Sequence, residues 1–175
     1  MRKFFYDTEF MEEPGLLELI SIGIVNEAGD CVFYACNWGA NLDLANEWVK
    51  QNVLPKLPPR PGYEELNSEE YDGPWMMDYR IREMLLEYFS PSKDDPIELW
   101  GYYSAYDHVL LCWLFGRMVD LPEGMPMYTM DIKQYAHSLG DVQLPSQMDG
   151  EHNALEDAKW NREAYIWLSS FVQSG

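Results

Sequence analysis

Asp7 and Glu9, in the run FFYDTEF, are the first residues of this chain whose types and spacing suggest chemistry. A β-strand alternates its side chains, so a D-x-E pair points to one face. Phe4, Phe5, Tyr6 and Phe10 flank the pair and mark the strand as largely buried. Burying carboxylates is costly unless positive charge compensates them. A divalent cation suits hard oxygen donors of this kind. Asp107 and Asp157, far downstream, are able to complete such a site. Asp107 follows an apolar run in GYYSAYDHVLL and opens a helical pattern. Strand-to-helix junctions at the carboxyl end of a sheet are common ligand sites. Asp157 lies in HNALEDA, five residues after His152. At roughly 100° per residue, that spacing points the two side chains apart on a helix. They converge when His152 sits on the preceding loop and Asp157 in the first turns. An imidazole titrates near neutral pH and serves as a general base.

Each motif alone has a plainer reading. D-x-E can be a solvated strand face, Asp107 a favourable acid near a helix N-terminus, and a lone His is commonly structural or exposed. Their conjunction favours chemistry.

The elements that must position these residues read β-β-β-α-α-β-α-(β)-α-α. Strands are expected at Lys3 to Phe10, Leu16 to Val25 and Cys31 to Trp38, with Asn26 to Asp30 as a hairpin turn. A helix is expected over Leu42 to Asn52, followed by a proline-rich loop from Pro55 to Pro74. Met77, Ile81, Leu85 and Tyr88 form a helical stripe, and Ile97 to Tyr102 reads as a buried strand. Further helices are expected over Ala105 to Phe115, from an Asp131 cap to Leu139 before Gly140, and over Ala154 to Val172. The pattern predicts an α/β fold with a mixed sheet and one domain over 1–175. Ala154 and Ala158 share a face that lets the last helix pack closely. Trp48, Trp113, Trp160 and Trp167 are expected in the core or at an interface, and Trp160, Ala164 and Trp167 share a helix face. His108 and His137 are expected to be structural or solvent-facing, Glu18 an accessory or hydrogen-bonded core residue, and Lys56 and Arg60 either within reach of a phosphate backbone or offsets to local acidity.

The 175 residues are 47% hydrophobic and 24% charged, as in a soluble globular protein, with a formal net charge of -18. That charge excludes a broad basic surface for nucleic acid but leaves room for a site where metal ions supply the positive charge. Cys31, Cys36 and Cys112, an odd set without C-x-x-C spacing, point to free, buried thiols in a reducing, cytoplasmic compartment. The longest apolar run, VLLCWLF, is far too short to span a membrane, and the N-terminal segment MRKFFYDTEF enters a strand without a signal peptide.

D-x-E in the first strand, an Asp after an apolar strand, and H-x-A-x-x-D-A near the C-terminus resemble the DEDDh 3′–5′ exonucleases. The order and spacing fit over nearly the whole chain. The stretches FYDTEF, ELISIG, WVKQNVLPKLPP, IELW, AYDHVLLC and HNALEDA are similar to the small bacterial exoribonucleases of the mycobacterial polyadenylate-specific group. The resemblance implies a ribonuclease-H-like fold with a mixed five-stranded sheet flanked by helices. It also implies hydrolysis of RNA from the 3′ end, single-stranded or in a 3′ overhang, to nucleoside 5′-monophosphates. Asp7, Glu9, Asp107 and Asp157 would hold two Mg²⁺ or Mn²⁺ ions, with His152 as general base. Phe10 or Tyr106 would pack on the terminal base, since stacking tolerates different bases. A homodimer is a further expectation, because related exonucleases often form one. Many proofreading relatives carry H-N-A-x-F-D around the third carboxylate; here Tyr103 replaces the Asn, which argues against a DNA-polymerase proofreader. Competing readings are a 3′–5′ exodeoxyribonuclease, an oligoribonuclease-like scavenger, and a non-catalytic acidic nucleic-acid mimic suggested by runs such as Glu64-Glu65 and Glu69-Glu70.

Overall fold

A computed structural model describes residues 1–147 and 150–172 of the chain. Met148 and Asp149, within the polar segment ahead of His152, and residues 173–175 lie outside the described residues. Strands β1 (Arg2–Glu13), β2 (Leu16–Asn26) and β3 (Val32–Asn37) form an antiparallel meander. The β2–β3 turn forms as expected, with the Asn26 side chain accepting from the backbone N–H groups of Gly29 and Cys31. Strand β4 (Trp75–Met76) joins β3 in parallel. On the other side β5 (Ile97–Gly101) pairs in parallel with β1, and β6 (Met130–Asp131) with β5. The sheet is therefore mixed and six-stranded, in the order β4-β3-β2-β1-β5-β6. The strand beyond the expected five is the two-residue β4, too short to leave a period-2 signature.

The helices are α1 (Glu47–Asn52), α2 (Tyr63–Leu66), α3 (Asp78–Phe89), α4 (Ala105–Phe115), α5 (Ile132–Ser138) and α6 (Ala154–Val172). The single helix expected over 42–52 is instead a 3-10 turn at Leu42–Leu44 and the separate α1. Asn46 interrupts it: its backbone is extended, and its side chain accepts from the Val49 N–H as a helix cap. Within the expected proline-rich loop, the chain makes a 3-10 turn at Leu54–Lys56 and the one-turn α2.

Strand alternation sorts the core to the two faces of the sheet. Phe4, Tyr6, Ile22 and Ile24 pack with α3 and α4 through Ile81, Leu85, Phe89, Leu110 and Leu111. Phe5, Val25 and Trp100 pack with α5 and α6 on the other side. A third cluster joins Met11 and Ile20 to Val49 and Val53 of α1. One placement differs from expectation. Cys31 is exposed rather than buried, at the hairpin turn. Trp48, Trp113 and Trp167 are about half exposed, because each lies off the buried stripe of its helix.

One contact sets the position of α6. Its buried stripe begins with Ala154 and Ala158, both fully buried, and Ala154 lies flush on Gly23 of β2. A Cβ at Gly23 would meet the backbone of Ala154 and Leu155 at 2.3 Å, well inside van der Waals contact. Gly23 is the cross-strand neighbour of Asp7. Asn161, buried one turn farther along α6, donates from Nδ2 to the Tyr6 carbonyl at 2.9 Å. The helix is thus fixed against β1 and β2 beside the first carboxylate.

Candidate active site

β1 continues well past its partner β5. The parallel pairing covers Arg2 to Phe5 only, and β5 ends at Gly101 before the chain turns into α4. From Tyr6 onward that edge of β1 is open to what the α4 N-terminus carries. Thr8 points to the α4 side and donates to Asp107 Oδ1 twice, from its N–H at 2.8 Å and its hydroxyl at 2.6 Å. Asp107 is thereby buried, at 5% exposure, and fixed to the backbone between Asp7 and Glu9.

On the opposite face, Asp7, Glu9 and Asp157 offer carboxylate oxygens that all lie within 4.8 Å of one another. Asp107 stands outside that group of three; it raises the pKa of Asp7 through its charge. Burial, then the charges of Asp107, Asp157 and Glu9, push Asp7 well above the usual carboxylate range. Burial and the neighbouring Asp157, with which it hydrogen-bonds, push Glu9 up to about 8, against a lowering by Lys56. Burial also raises Asp107, to about 6, although the Thr8 bonds favour its ionised form. Asp157 is raised by burial and held by two donors, Gln147 Nε2 to Oδ1 at 2.6 Å and the His152 N–H to Oδ2 at 2.8 Å. Among the described residues, no ion pair satisfies any of these four acids. Crowded hard oxygens with raised pKa values and no paired cation fit a divalent metal ion.

His152 is on the loop before α6 and Asp157 in its first turn, the arrangement the spacing requires. His152 has φ 66, in the left-handed region, which costs a non-glycine residue about 1–3 kcal/mol and is found where surroundings enforce it. Its ring meets Trp48 edge-on at 4.8 Å between centroids. Asp7, Glu9, Asp157 and His152 line one cavity of ≈ 550 Å³, walled by Trp160 and Tyr102.

The two aromatics expected on a base are not among the residues that line this cavity. Phe10 and Tyr106 face each other edge-on at 5.8 Å, outside the lining of that cavity. Tyr106, 45% exposed, lines a neighbouring groove with Glu12 and Trp113. Tyr103 takes φ 53 and is exposed; Asn tolerates that conformation better than Tyr. Arg60 is held among aromatic rings and a backbone carbonyl. Its guanidinium lies over Trp38 and Trp75, at 5.2 and 5.4 Å, and donates to the Ala40 carbonyl. Lys56 donates to the Glu151 carbonyl, beside His152. Glu18 accepts from the Asn41 N–H. His108 is buried, and the exposed His137 pairs with Asp141 at 3.0 Å.

Sequence reasoning missed Thr8, Gln147, Asn161 and Trp160. Thr8 had one signal, its place between two acids; the others depend on contacts across the fold.

The nuclease domain of 3′hExo, described as a DEDDh family member bound to rAMP, superposes with a TM-score of 0.54 at 13% identity, over 99% of this chain and 92% of that one. A structure of yeast NOT1 MIF4G domain co-crystallized with CAF1 gives a TM-score of 0.55 at 13% identity, over 98% and 80%. These likenesses show a ribonuclease-H-like fold, a mixed sheet flanked by helices. The 3′-5′ exoribonuclease Rv2179c of Mycobacterium tuberculosis H37Rv is 39% identical over 173 residues, 99% of this chain and 96% of that protein. The model of the 3′-5′ exoribonuclease Rv2179c-like domain matches residues 2–167, and the chain belongs to that family.

Proposed function

We propose that the protein is a metal-dependent 3′–5′ exoribonuclease. It shortens RNA from a 3′ end, single-stranded or in an overhang, and releases nucleoside 5′-monophosphates. The observation that carries this is the meeting of Asp7, Glu9 and Asp157 within 4.8 Å in one cavity with His152. The family name and the 39% identity to a 3′-5′ exoribonuclease support the RNA substrate.

In this reading Asp7, Glu9, Asp107 and Asp157 hold two Mg²⁺ or Mn²⁺ ions. When bound, such ions would supply Lewis-acid chemistry at the scissile phosphate. His152 takes the proton from the attacking water. The water oxygen bonds phosphorus, the bond from phosphorus to the 3′ oxygen breaks, that oxygen takes a proton from solvent as it leaves, and His152 returns its proton to solvent. Thr8 and Gln147 orient Asp107 and Asp157 by the hydrogen bonds they donate. Phe10 and Tyr106, paired edge-on outside the cavity lining, would meet the terminal base at the neighbouring groove that Tyr106 lines. One domain over 1–175 carries the activity. Free thiols at Cys31, Cys36 and Cys112 support a cytoplasmic location. Among the described residues, no helix is long and apolar enough to cross a membrane. A second copy of the chain would pack on Ile166, Trp167 and Phe171, exposed on α6; the expected partners on that helix, Trp160 and Ala164, face the core instead.

The test is a panel of end-labelled RNA and DNA oligonucleotides with Mg²⁺ or Mn²⁺, with and without chelator. Metal-dependent shortening of RNA from the 3′ end is expected. Preference for DNA would favour an exodeoxyribonuclease, and no cleavage of any substrate would favour an acidic binding protein.

A further inference from the structure

The His152 loop is held from outside its own element. Gly150 and His152 both take left-handed backbone, at φ 89 and 66. The bond from the His152 N–H to Asp157 fixes the backbone, but it leaves the imidazole free to turn about its side-chain torsions. The ring is met by the Trp48 indole, edge-on at 4.8 Å. The preceding residue is tied as well, since Lys56 Nζ donates to the Glu151 carbonyl. Trp48 is on α1, and Lys56 ends the 3-10 turn that follows.

These two groups have a rigid base. Val49 and Val53 are buried against Met11 of β1 and Ile20 of β2. Asn46 caps α1 and donates from Nδ2 to Glu13, at the end of β1, at 3.3 Å. β1 also carries Asp7 and Glu9. The carboxylates and the imidazole therefore share one frame, reached from one side through the strand and from the other through α1. Trp48 itself is 53% exposed, so no core packing accounts for its position.

We propose that Trp48 and Lys56 form a latch that holds the His152 imidazole toward the cavity, making both positioning residues for the cleavage step. This rests on the reading of His152 as general base. Trp48 acts on the step after binding, so its loss lowers turnover and spares substrate affinity. Were the indole instead a platform for an RNA base, its loss would raise KM.

The test is steady-state cleavage of a short RNA by the Mn²⁺-loaded protein, with NMR of the imidazole C–H signals on the metal-free protein. Trp48→Ala should lower kcat on the order of 10- to 100-fold, with KM changed less than about twofold. Trp48→Phe, which keeps a ring, should recover most of it, and Lys56→Met should lose about threefold to tenfold. In a His152→Ala background, Trp48→Ala should add no further loss. The His152 signals, assigned by their absence in His152→Ala, should move in Trp48→Ala. The latch is overturned by a KM effect with kcat unchanged, by an equal kcat loss in the His152→Ala background, or by unmoved imidazole signals. Normal kcat in Trp48→Ala with a slow His152→Ala removes the latch and leaves the general base standing. Normal kcat in His152→Ala removes both.

Discussion

At the start of β1, Arg2 Nε lies 2.7 Å from an Asp95 oxygen, and Lys3 Nζ lies 3.1 Å from Glu27. Farther along the same strand, Asp7 and Glu9 meet Asp157 within 4.8 Å, with Asp107 one hydrogen bond away on Thr8. The first region pairs opposite charges at the surface; the second gathers like charges under cover. Surface pairs of the first kind contribute about 0–1 kcal/mol. The second destabilises the metal-free protein, because buried Glu9 and Asp107 and half-buried Asp7 and Asp157 crowd like charges together. A fold that tolerates such a cost at one end of a strand, and balances charge at the other, has its destabilising groups where a cation can compensate them.

The largest effect that would sharpen this contrast is that of Asp7→Asn. Cleavage should fall on the order of 10⁴-fold or more, as expected when a metal ligand is lost. The metal-free variant should melt higher than the parent, by about 2–4 °C per kcal/mol of repulsion relieved. A lower melting temperature without metal would break the comparison. His152→Ala should slow turnover by about 10²- to 10⁴-fold, while the Mn²⁺-induced rise in melting temperature persists. Loss of that rise would assign His152 to metal binding instead.

A smaller effect concerns pH. Glu9 is raised from 4.5 to about 8 in the folded chain, so between those values the folded state binds more protons than the unfolded one. The stability it lends is full below about 4.5 and falls as pH rises toward about 8. Chelated protein should therefore lose several degrees of melting temperature between these limits. Glu9→Gln should flatten the trend, and Mn²⁺ should reverse it by replacing the proton. A chelated melting temperature that rises toward pH 8 would contradict the sign. The smallest effect is expected for Lys3→Met: a stability change within about 1 kcal/mol and unaltered cleavage. A large loss of activity there would erase the distinction between the two regions.

Much of this was legible in the chain. Helices α4 and α6 have the expected bounds, because apolar runs and a stripe of small residues define them. The meander was legible from Ile- and Val-rich runs around the Asn26 turn. The D-x-E pair reads directly, since strand alternation brings its members to one face. The break at Asn46 was not legible, as a capping Asn amid helix-compatible residues looks like one of them. Nor was β4, whose two residues join the sheet only through backbone bonds to β3. Gln147, Trp48 and Lys56 reach the site across folded loops, and no local pattern encodes such contacts. The charge of Arg60 is legible in the chain, but the two indoles beneath its guanidinium are not.

Gly23 has a consequence for variation among chains of this shape. A hydrogen atom where other residues carry carbon sets the gauge between helix and sheet, and that gauge also sets how near the last acid comes to the first. Any methyl at this point would act as a shim, lifting Asp157 away from the two carboxylates of β1. Drift at position 23 is thus barred twice over, by fit and by chemistry, although the residue itself never touches a reacting atom.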